Sequence, residues 1–142
     1  MKKKLTVLLI CFVVLGLIGI AFLSIVPSIK MEPNFFEKKQ MLNKLYNIDS
    51  IVLLDKEGKE YSMDIEAFRD LLPEVEYRGL LITKGENIEG KAIMNDGKIA
   101  GILISKMYPV LKYDVGKSKF NDFEISEKVS NKWFELVQNT FH

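Results

Sequence analysis

The longest feature of the hydropathy pattern is an unbroken apolar run near the N-terminus, from Leu5 to Ile29. It contains no charged residue, and its 25 residues exceed the roughly 20 that a helix needs to cross the hydrocarbon core of a bilayer. A helix is the expected form, because lipid offers no hydrogen-bond partners to an open backbone. Pro27 stands near the far end, where a helix can stop. The run therefore predicts a transmembrane anchor at residues 5–29.

The flanks of this run carry an orientation signal. Lys2, Lys3 and Lys4 precede the run, whereas the lysines just after it are interspersed with glutamates. Under the positive-inside rule, the clustered lysines are topology determinants that keep residues 1–4 in the cytoplasm and place residues 30–142 outside. The predicted location is therefore the plasma membrane, crossed once by the chain. The side chains predicted to form the membrane anchor are Leu5, Leu9, Phe12, Leu15, Ile18, Phe22 and Ile25.

Two other ways of processing the N-terminus compete with a permanent anchor. Gly19 and Ala21 are small enough for signal-peptide cleavage after Ala21, which would release a secreted domain. The apolar run nevertheless continues well past them and ends without a polar cleavage region. Lipid modification of Cys11 fits less well, because Ile10 precedes it and most of the apolar run follows it. The pattern favours an uncleaved anchor.

Beyond residue 33 the pattern changes to the short periodic segments of a globular domain. Asn34 and Glu37 have the spacing of a capping box, and apolar residues at helical spacing predict a first helix that reaches about Asn47. Asp64 is expected to cap a second, short helix, which Pro73 ends. These helices are expected to pack their apolar stripes on the core of the domain.

The end of the chain has the pattern of a longer amphipathic helix. Ser126 is expected to cap it, and the lone Trp133 lies in the middle of its apolar stripe, where we expect a core anchor. The stripe consists of Ile125, Val129, Trp133, Leu136, Val137 and Phe141.

Two pairs of extended segments are predicted to form β-hairpins. Their turns carry the strongest signals, because Gly58 and the pair Asp96–Gly97 are residue types that tolerate positive φ between apolar runs. We interpret Gly58, Asp96 and Gly97 as structural turn residues. The paired segments are residues 50–54 with 59–63, and residues 90–94 with 99–106.

The remaining extended pattern is weaker. Residues 77–83 are predicted to form a strand, residues 110–115 an edge strand, and residues 116–122 a polar loop, with a bulge at Gly101. Strands and helices do not alternate regularly, which argues against a doubly wound parallel sheet. The predicted fold class is α+β: an N-terminal transmembrane helix followed by a small antiparallel sheet of about 5–6 strands with flanking helices.

Charge and cysteine content narrow the possible partners. From residue 30 onward the chain has 17 basic and 19 acidic residues, a net charge of −2. This near-neutral balance gives no electrostatic support for nucleic-acid binding. The single cysteine, Cys11, lies inside the apolar run, so neither a disulfide nor a cysteine metal site is possible in the domain.

Candidate chemistry is sparse. The single histidine, His142, is the last residue, which nearly excludes a Ser-His-Asp or Cys-His arrangement and removes the usual nitrogen ligand of zinc. Paired carboxylates remain possible acid–base groups, although pairs are expected by chance in a domain with this many acidic residues. The pairs are Glu74 with Glu76, Asp64 with Asp70, and Glu86 with Glu89.

One loop qualifies as a possible recognition loop. Lys84, Glu86 and Asn87 carry polar and charged groups between two predicted strands, and binding residues concentrate on such loops. We predict no catalytic residue, no metal ligand, no cofactor and no small-molecule ligand.

The function expected from these features is that of a membrane-anchored extracytoplasmic binding or interaction module of the bacterial envelope. The lipid bilayer is its expected first partner and another envelope protein its second. A cytoplasmic portion of four residues is too short for a signalling domain. Two alternatives remain open: an envelope hydrolase that uses carboxylates in a surface cleft, and a domain secreted after cleavage.

Overall fold

The chain divides into two units, Met1–Glu32 and Pro33–His142, which are described separately. The computed structural model describes the backbone of residues 2–25, 34–81, 83–117 and 119–142, and in the first helix the side chains of residues 6–18.

The first unit contains helix α1 (Lys2–Ile25), 24 residues long. Its described apolar side chains are exposed on every side: Val7, Leu8, Leu9, Ile10, Phe12, Val13, Val14, Leu15, Leu17 and Ile18. Within the described residues, no helix combines the length and the hydropathy needed to cross a membrane. Several predicted residues of this segment have side chains outside the described set: Lys2, Lys3, Lys4, Leu5, Ala21, Phe22 and Ile25. Pro27 also lies outside the described residues.

The second unit is an α+β domain, which confirms the predicted class. Its described part contains a seven-stranded antiparallel sheet in the order β2-β1-β4-β5-β6-β7-β3, with helices flanking it. The helices are α2 (Phe35–Tyr46), α3 (Ile65–Leu71) and α4 (Ser130–Thr140). The strands are β1 (Ile48–Leu54), β2 (Glu60–Ser62), β3 (Val75–Gly79), β4 (Asn87–Met94), β5 (Ile99–Ser105), β6 (Val110–Gly116) and β7 (Lys119–Ile125).

Local side-chain hydrogen bonds begin two of the helices, as predicted. At α2 the Glu37 backbone N–H donates to Asn34 Oδ1 at 2.9 Å, and the Glu37 carboxylate accepts from the Asn34 N–H at 3.3 Å. Asp64 Oδ1 accepts from two backbone N–H groups in the first turn of α3. These bonds satisfy amides that have no partner within the helix.

The start of the last helix differs from the prediction. Residues 127–129 form a 3₁₀ turn before α4, and the Ser126 side chain makes no capping hydrogen bond. The N–H of Val129 donates to the backbone carbonyl of Ser126 at 3.0 Å, so the backbone takes the place of the expected hydroxyl cap.

Both predicted hairpins form, and their turn residues adopt the expected conformations. Gly58 has φ of +79° and Gly97 has φ of +81°. In the first turn Asp55 Oδ1 accepts from the N–H of Lys59 at 2.8 Å, and in the second Asp96 Oδ1 accepts from that of Lys98 at 3.0 Å. The turn chemistry therefore sets the register of the two hairpins.

The other strand predictions need correction. Residues 119–125, expected as a loop up to residue 122, form β7, which raises the strand number from the predicted 5–6 to seven. A two-residue connection joins β6 to β7, and Lys117 adopts a φ of +55° there. Because β7 flanks it, β6 is an interior strand rather than an edge. The β4–β5 register continues without a break past Gly101, so no bulge lies there. The strand predicted at 77–83 is β3, which starts at Val75 and ends at Gly79.

One face of the sheet, the inner face, packs against the helices and forms the core. Trp133 of α4 is 1% exposed, and its indole lies 6.3 Å from the ring of Phe68 of α3. Each such fully buried side chain stabilises the fold by about 1.5–3 kcal/mol. The buried inner-face strand residues are Ile51, Leu53, Tyr77, Ala92, Ile102, Ile104, Leu111, Tyr113, Phe123 and Ile125.

Candidate functional site

The candidate site is an open groove at one end of the sheet, about 610 Å³ in volume. We call it the end groove. Because β1 and β4 are antiparallel neighbours, the end of β1 lies beside the start of β4, and the same pairing places the end of β5 there. The residues that line it are Leu54, Asp55, Lys56, Gly58, Asn87, Ile88, Glu89, Lys106 and Phe141.

The lining combines apolar and charged groups. Phe141 contributes an aromatic surface, and its ring is held 5.3 Å from that of Tyr61 on β2. The charged side chains are of both signs, two acidic and two basic: Asp55, Glu89, Lys56 and Lys106. A surface of this composition suits a partner with an apolar group between polar or charged groups.

A close ion pair connects the predicted recognition loop to the groove. Lys106 Nζ donates to Glu86 Oε2 at 2.7 Å, and the backbone N–H of Lys106 donates to the Glu86 carbonyl at 3.1 Å. The hydrogen bond from Lys106 lowers the pKa of Glu86 below its ordinary value, and the charges of Lys106 and Lys56 add to this effect. Glu86 therefore stays ionised down to a lower pH than an unpaired glutamate.

The three residues of the predicted recognition loop have different positions. Asn87 lines the end groove as the first residue of β4, and Glu86 is bonded to Lys106 of the lining. Lys84 is exposed and lies outside the lining. The turn residue Gly58 lines the same groove, whereas Asp96 and Gly97 belong to the β4–β5 turn at the opposite end of the sheet.

The sequence pattern assigns neither Lys106 nor Phe141 to a site. The predicted β4–β5 hairpin contained the signal for Lys106, because its register, with Asn87 opposite Ser105, continues to Glu86 opposite Lys106. The pattern places Phe141 only in the apolar stripe of the last helix. Phe141 lies beside the 55–58 turn because of the way α4 packs on the sheet, which the sequence pattern does not record.

The predicted carboxylate pairs do not converge on one centre. Asp64 caps α3, and Asp70 lines a separate cavity between α3 and α4. Glu74 and Glu76 lie at β3, and β3 and β4 are four strand positions apart, about 19 Å at normal strand spacing. The pair on β3 is therefore far from Glu86 and Glu89.

A second cavity of about 470 Å³ does gather carboxylates beside β3. Arg78 lies between two of them, with its guanidinium 3.1 Å from Glu76 and 2.7 Å from Glu124. Glu74 and Glu127 also line this cavity. Among the residues that the structure describes, no group of three or more potential ligands is arranged to hold a metal ion.

Comparisons of the chain with protein-family models, curated proteins and solved structures give no match.

Proposed function

We propose that the chain is a membrane-anchored binding module of the bacterial envelope, and that it contacts another envelope protein through the end groove. The observation that carries this proposal is the groove lining, in which Phe141 lies among two lysines and two acidic residues. Protein interfaces typically combine an aromatic or aliphatic centre with a polar, charged rim.

The shape of the groove favours a protein segment over a small metabolite. Small-molecule sites usually enclose most of the ligand surface, whereas this groove is open to solvent along the end of the sheet. Charged groups of both signs at its rim suit a partner with complementary charges. We therefore propose neither a cofactor nor a small-molecule ligand.

The proposed anchor is supported by the sequence from Leu5 to Ile29, which is apolar and uncharged over 25 residues. The described part of α1 adds that its apolar side chains, from Val7 to Ile18, are exposed, as expected of a helix that contacts lipid. The lysines at residues 2–4 favour a cytoplasmic N-terminus and an extracytoplasmic domain.

Alkaline carbonate extraction of bacterial membranes tests the anchor. We expect the chain to remain in the membrane pellet and to keep its original N-terminus. Recovery of a soluble chain that begins after Ala21 would contradict the anchor and support the secreted alternative. Protease added outside spheroplasts should digest the domain, and protection of the domain would contradict the proposed orientation.

Site-specific photocrosslinking in living cells tests the groove. A benzophenone amino acid at Phe141 preserves an aromatic ring in the lining, and the same group at Ile99 provides a control at the opposite end of the sheet. We expect one discrete adduct from position 141 and none of the same size from position 99. No adduct at 141, or equal adducts at both, would contradict the proposal.

A matched pair of charge reversals then tests specificity. Lys56→Glu changes the rim of the groove, whereas Lys98→Glu changes a side chain that is 83% exposed in the distant β4–β5 turn. We expect Lys56→Glu to reduce the adduct from position 141 at least about tenfold, because a rim charge guides association. The Lys98→Glu variant should crosslink normally.

A weaker second proposal is an envelope hydrolase. The cavity beside β3 favours it, because four glutamates line that one cavity: Glu74, Glu76, Glu124 and Glu127. Release of fragments from purified cell-wall material, abolished by Glu127→Gln but unchanged by Glu135→Gln on the exposed side of α4, would support hydrolysis. Absence of release by the native chain would remove this proposal.

A further inference from the structure

The first helix of the domain, α2, carries exposed apolar residues on the side that faces away from the core. Leu45 is 1% exposed in the core, whereas Phe36 is 68% exposed. The two residues are nine positions apart, which is two and a half turns, so they lie on opposite sides of the helix. Phe35, next to Phe36, is 83% exposed. These two adjacent phenylalanines form an exposed apolar patch outside the core of the described residues.

The rest of this outward side is amphipathic. Tyr46 is 52% exposed and lies eleven positions after Phe35, about three turns along the same side of the helix. Lys39 is exposed between them. We define the outward face of α2 by these four residues, Phe35, Phe36, Lys39 and Tyr46.

The charges on α2 differ from those of the domain as a whole. The helix has three lysines and one glutamate, although the chain from residue 30 onward has a net charge of −2. The single acid, Glu37, is engaged in the capping box with Asn34. Lys38 lies 3.9 Å from Glu76 of β3, and Lys44 lines a cavity beside the β4–β5 turn, which leaves Lys39 as the lysine of the outward face. Exposed aromatic rings beside a lysine suit the headgroup region of an anionic bilayer.

The position of α2 in the chain gives this face a specific occupant. Phe35 follows Ile25, the last residue of α1, by ten positions, and ten residues can extend at most about 36 Å. If α1 crosses the bilayer, the first turn of α2 is therefore within reach of the membrane surface. The proposed anchor therefore makes lipid an available partner for this face.

We propose that the outward face of α2 docks on the lipid headgroups, with Phe35 and Phe36 inserted among them and Lys39 beside anionic phosphates. This inference rests on the proposed membrane anchor. It assigns the domain a second membrane contact in addition to α1, and the end groove remains the site for the protein partner.

Fluorescence quenching by brominated lipids tests the contact. The full-length chain is reconstituted into vesicles that contain phosphatidylglycerol, with Phe36→Trp as the reporter. Glu57→Trp is the control, because Glu57 is exposed in the β1–β2 turn at the β2 edge of the sheet, whereas the first turn of α2 lies at the β3 edge, with Lys38 3.9 Å from Glu76. The native Trp133 is 1% exposed and gives the same background in both variants. We expect at least about twofold stronger quenching of the Phe36→Trp variant, as for a ring at the interface.

The outcomes separate this inference from the proposed function. If the chain does not float with the vesicles, both the anchor and the docked face are overturned. If it floats but the two variants are quenched equally, only the docking is overturned. If the Phe36→Trp emission shifts only at high protein-to-lipid ratio and without bromolipid quenching, a second copy of the chain covers the face and the proposal is also overturned.

A matched pair of charge reversals tests the lysine. In the Phe36→Trp background, Lys39→Glu should reduce quenching in phosphatidylglycerol vesicles, whereas Lys132→Glu, an exposed position on α4, should not. Equal quenching in these two variants would contradict an electrostatic contribution from the outward face of α2.

Discussion

The two faces of the sheet are built by different means, although the same strands supply both. The inner face is apolar at alternate residues and is covered by α2, α3 and α4. The outer face, opposite to it, instead carries ion pairs between neighbouring strands, such as Lys91 with Glu60 and Arg78 with Glu124. A central pair on this outer face, Lys112 with Asp122, is largely buried. The difference indicates that burial of apolar surface stabilises the inner face, while ion pairs link the strands on the outer face.

The largest effect should come from the inner face. Trp133→Ala removes a fully buried ring in contact with Phe68, and we expect the free energy of unfolding to fall by about 3–5 kcal/mol. Urea denaturation followed by circular dichroism measures this. Ile99→Ala, at an outer-face residue that is 67% exposed, is the control and should change stability by less than about 0.5 kcal/mol. Similar losses in the two variants would contradict the proposed division between the faces.

The next effect concerns the buried polar group of the outer face. Asp122 is 1% exposed, accepts a 2.6 Å hydrogen bond from the Leu81 N–H and lies 3.1 Å from Lys112 Nζ. Asp122→Ala leaves both donors without this partner, and we expect a loss of about 2–4 kcal/mol by the same denaturation measurement. Glu124→Ala removes an exposed neighbour and should cost less than about 1 kcal/mol. A loss below about 1 kcal/mol for Asp122→Ala would show that the pair with Lys112 is not important for stability.

Two glycines on neighbouring strands compare how much space each face of the sheet leaves for one added methyl group. A Cβ at Gly90, on the inner face, would lie 2.7 Å from the backbone carbonyl oxygen of Val52 and 2.9 Å from Leu53. A Cβ at Gly101, on the outer face, would lie 3.6 Å from its nearest neighbouring atom, which is an ordinary van der Waals contact. We expect Gly90→Ala to destabilise by about 1–3 kcal/mol and Gly101→Ala by less than about 0.5 kcal/mol. Thermal unfolding of the two variants measures this, and equal midpoints would contradict the close approach at Gly90.

The smallest effect concerns the surface ion pair beside the end groove. Lys106 lowers the pKa of Glu86 below the ordinary 4.5, so the pair stabilises the fold at higher pH and this contribution is lost as the pH falls through the lowered pKa. Glu86→Gln should therefore give a slightly shallower fall in melting temperature between about pH 6 and pH 3 than the native chain. Glu135→Gln, on the exposed side of α4, is the control. Because Glu86 is fully exposed, a large change would indicate a structural role that the structure does not show.

Much of the fold was predictable wherever the signal is local. The capping box of Asn34 with Glu37 and the turns at Gly58 and Asp96–Gly97 depend on residues within four positions of one another. The stripe around Trp133 was predictable because helical spacing alone places its members on one side. For the site, local patterns select Lys84, Glu86 and Asn87; Asn87 lines the groove, Glu86 bonds to Lys106 of its lining, and Lys84 lies outside it. They do not select Phe141, which reaches the groove from a distant part of the chain.

By itself, the sequence determined the α+β class, the helix starts at Asn34 and Asp64, and the two hairpins, because each depends on backbone preferences and short-range hydrogen bonds. Only the tertiary structure decided that residues 119–125 form a strand and that this strand separates β6 from the edge strand β3. The alternation in β7 is weak, since Asn121 faces inward and Asp122 is buried on the outer face by its bond to Leu81 and its pairing with Lys112. Such long-range pairing compensates for polar residues in a strand, and no local pattern records it.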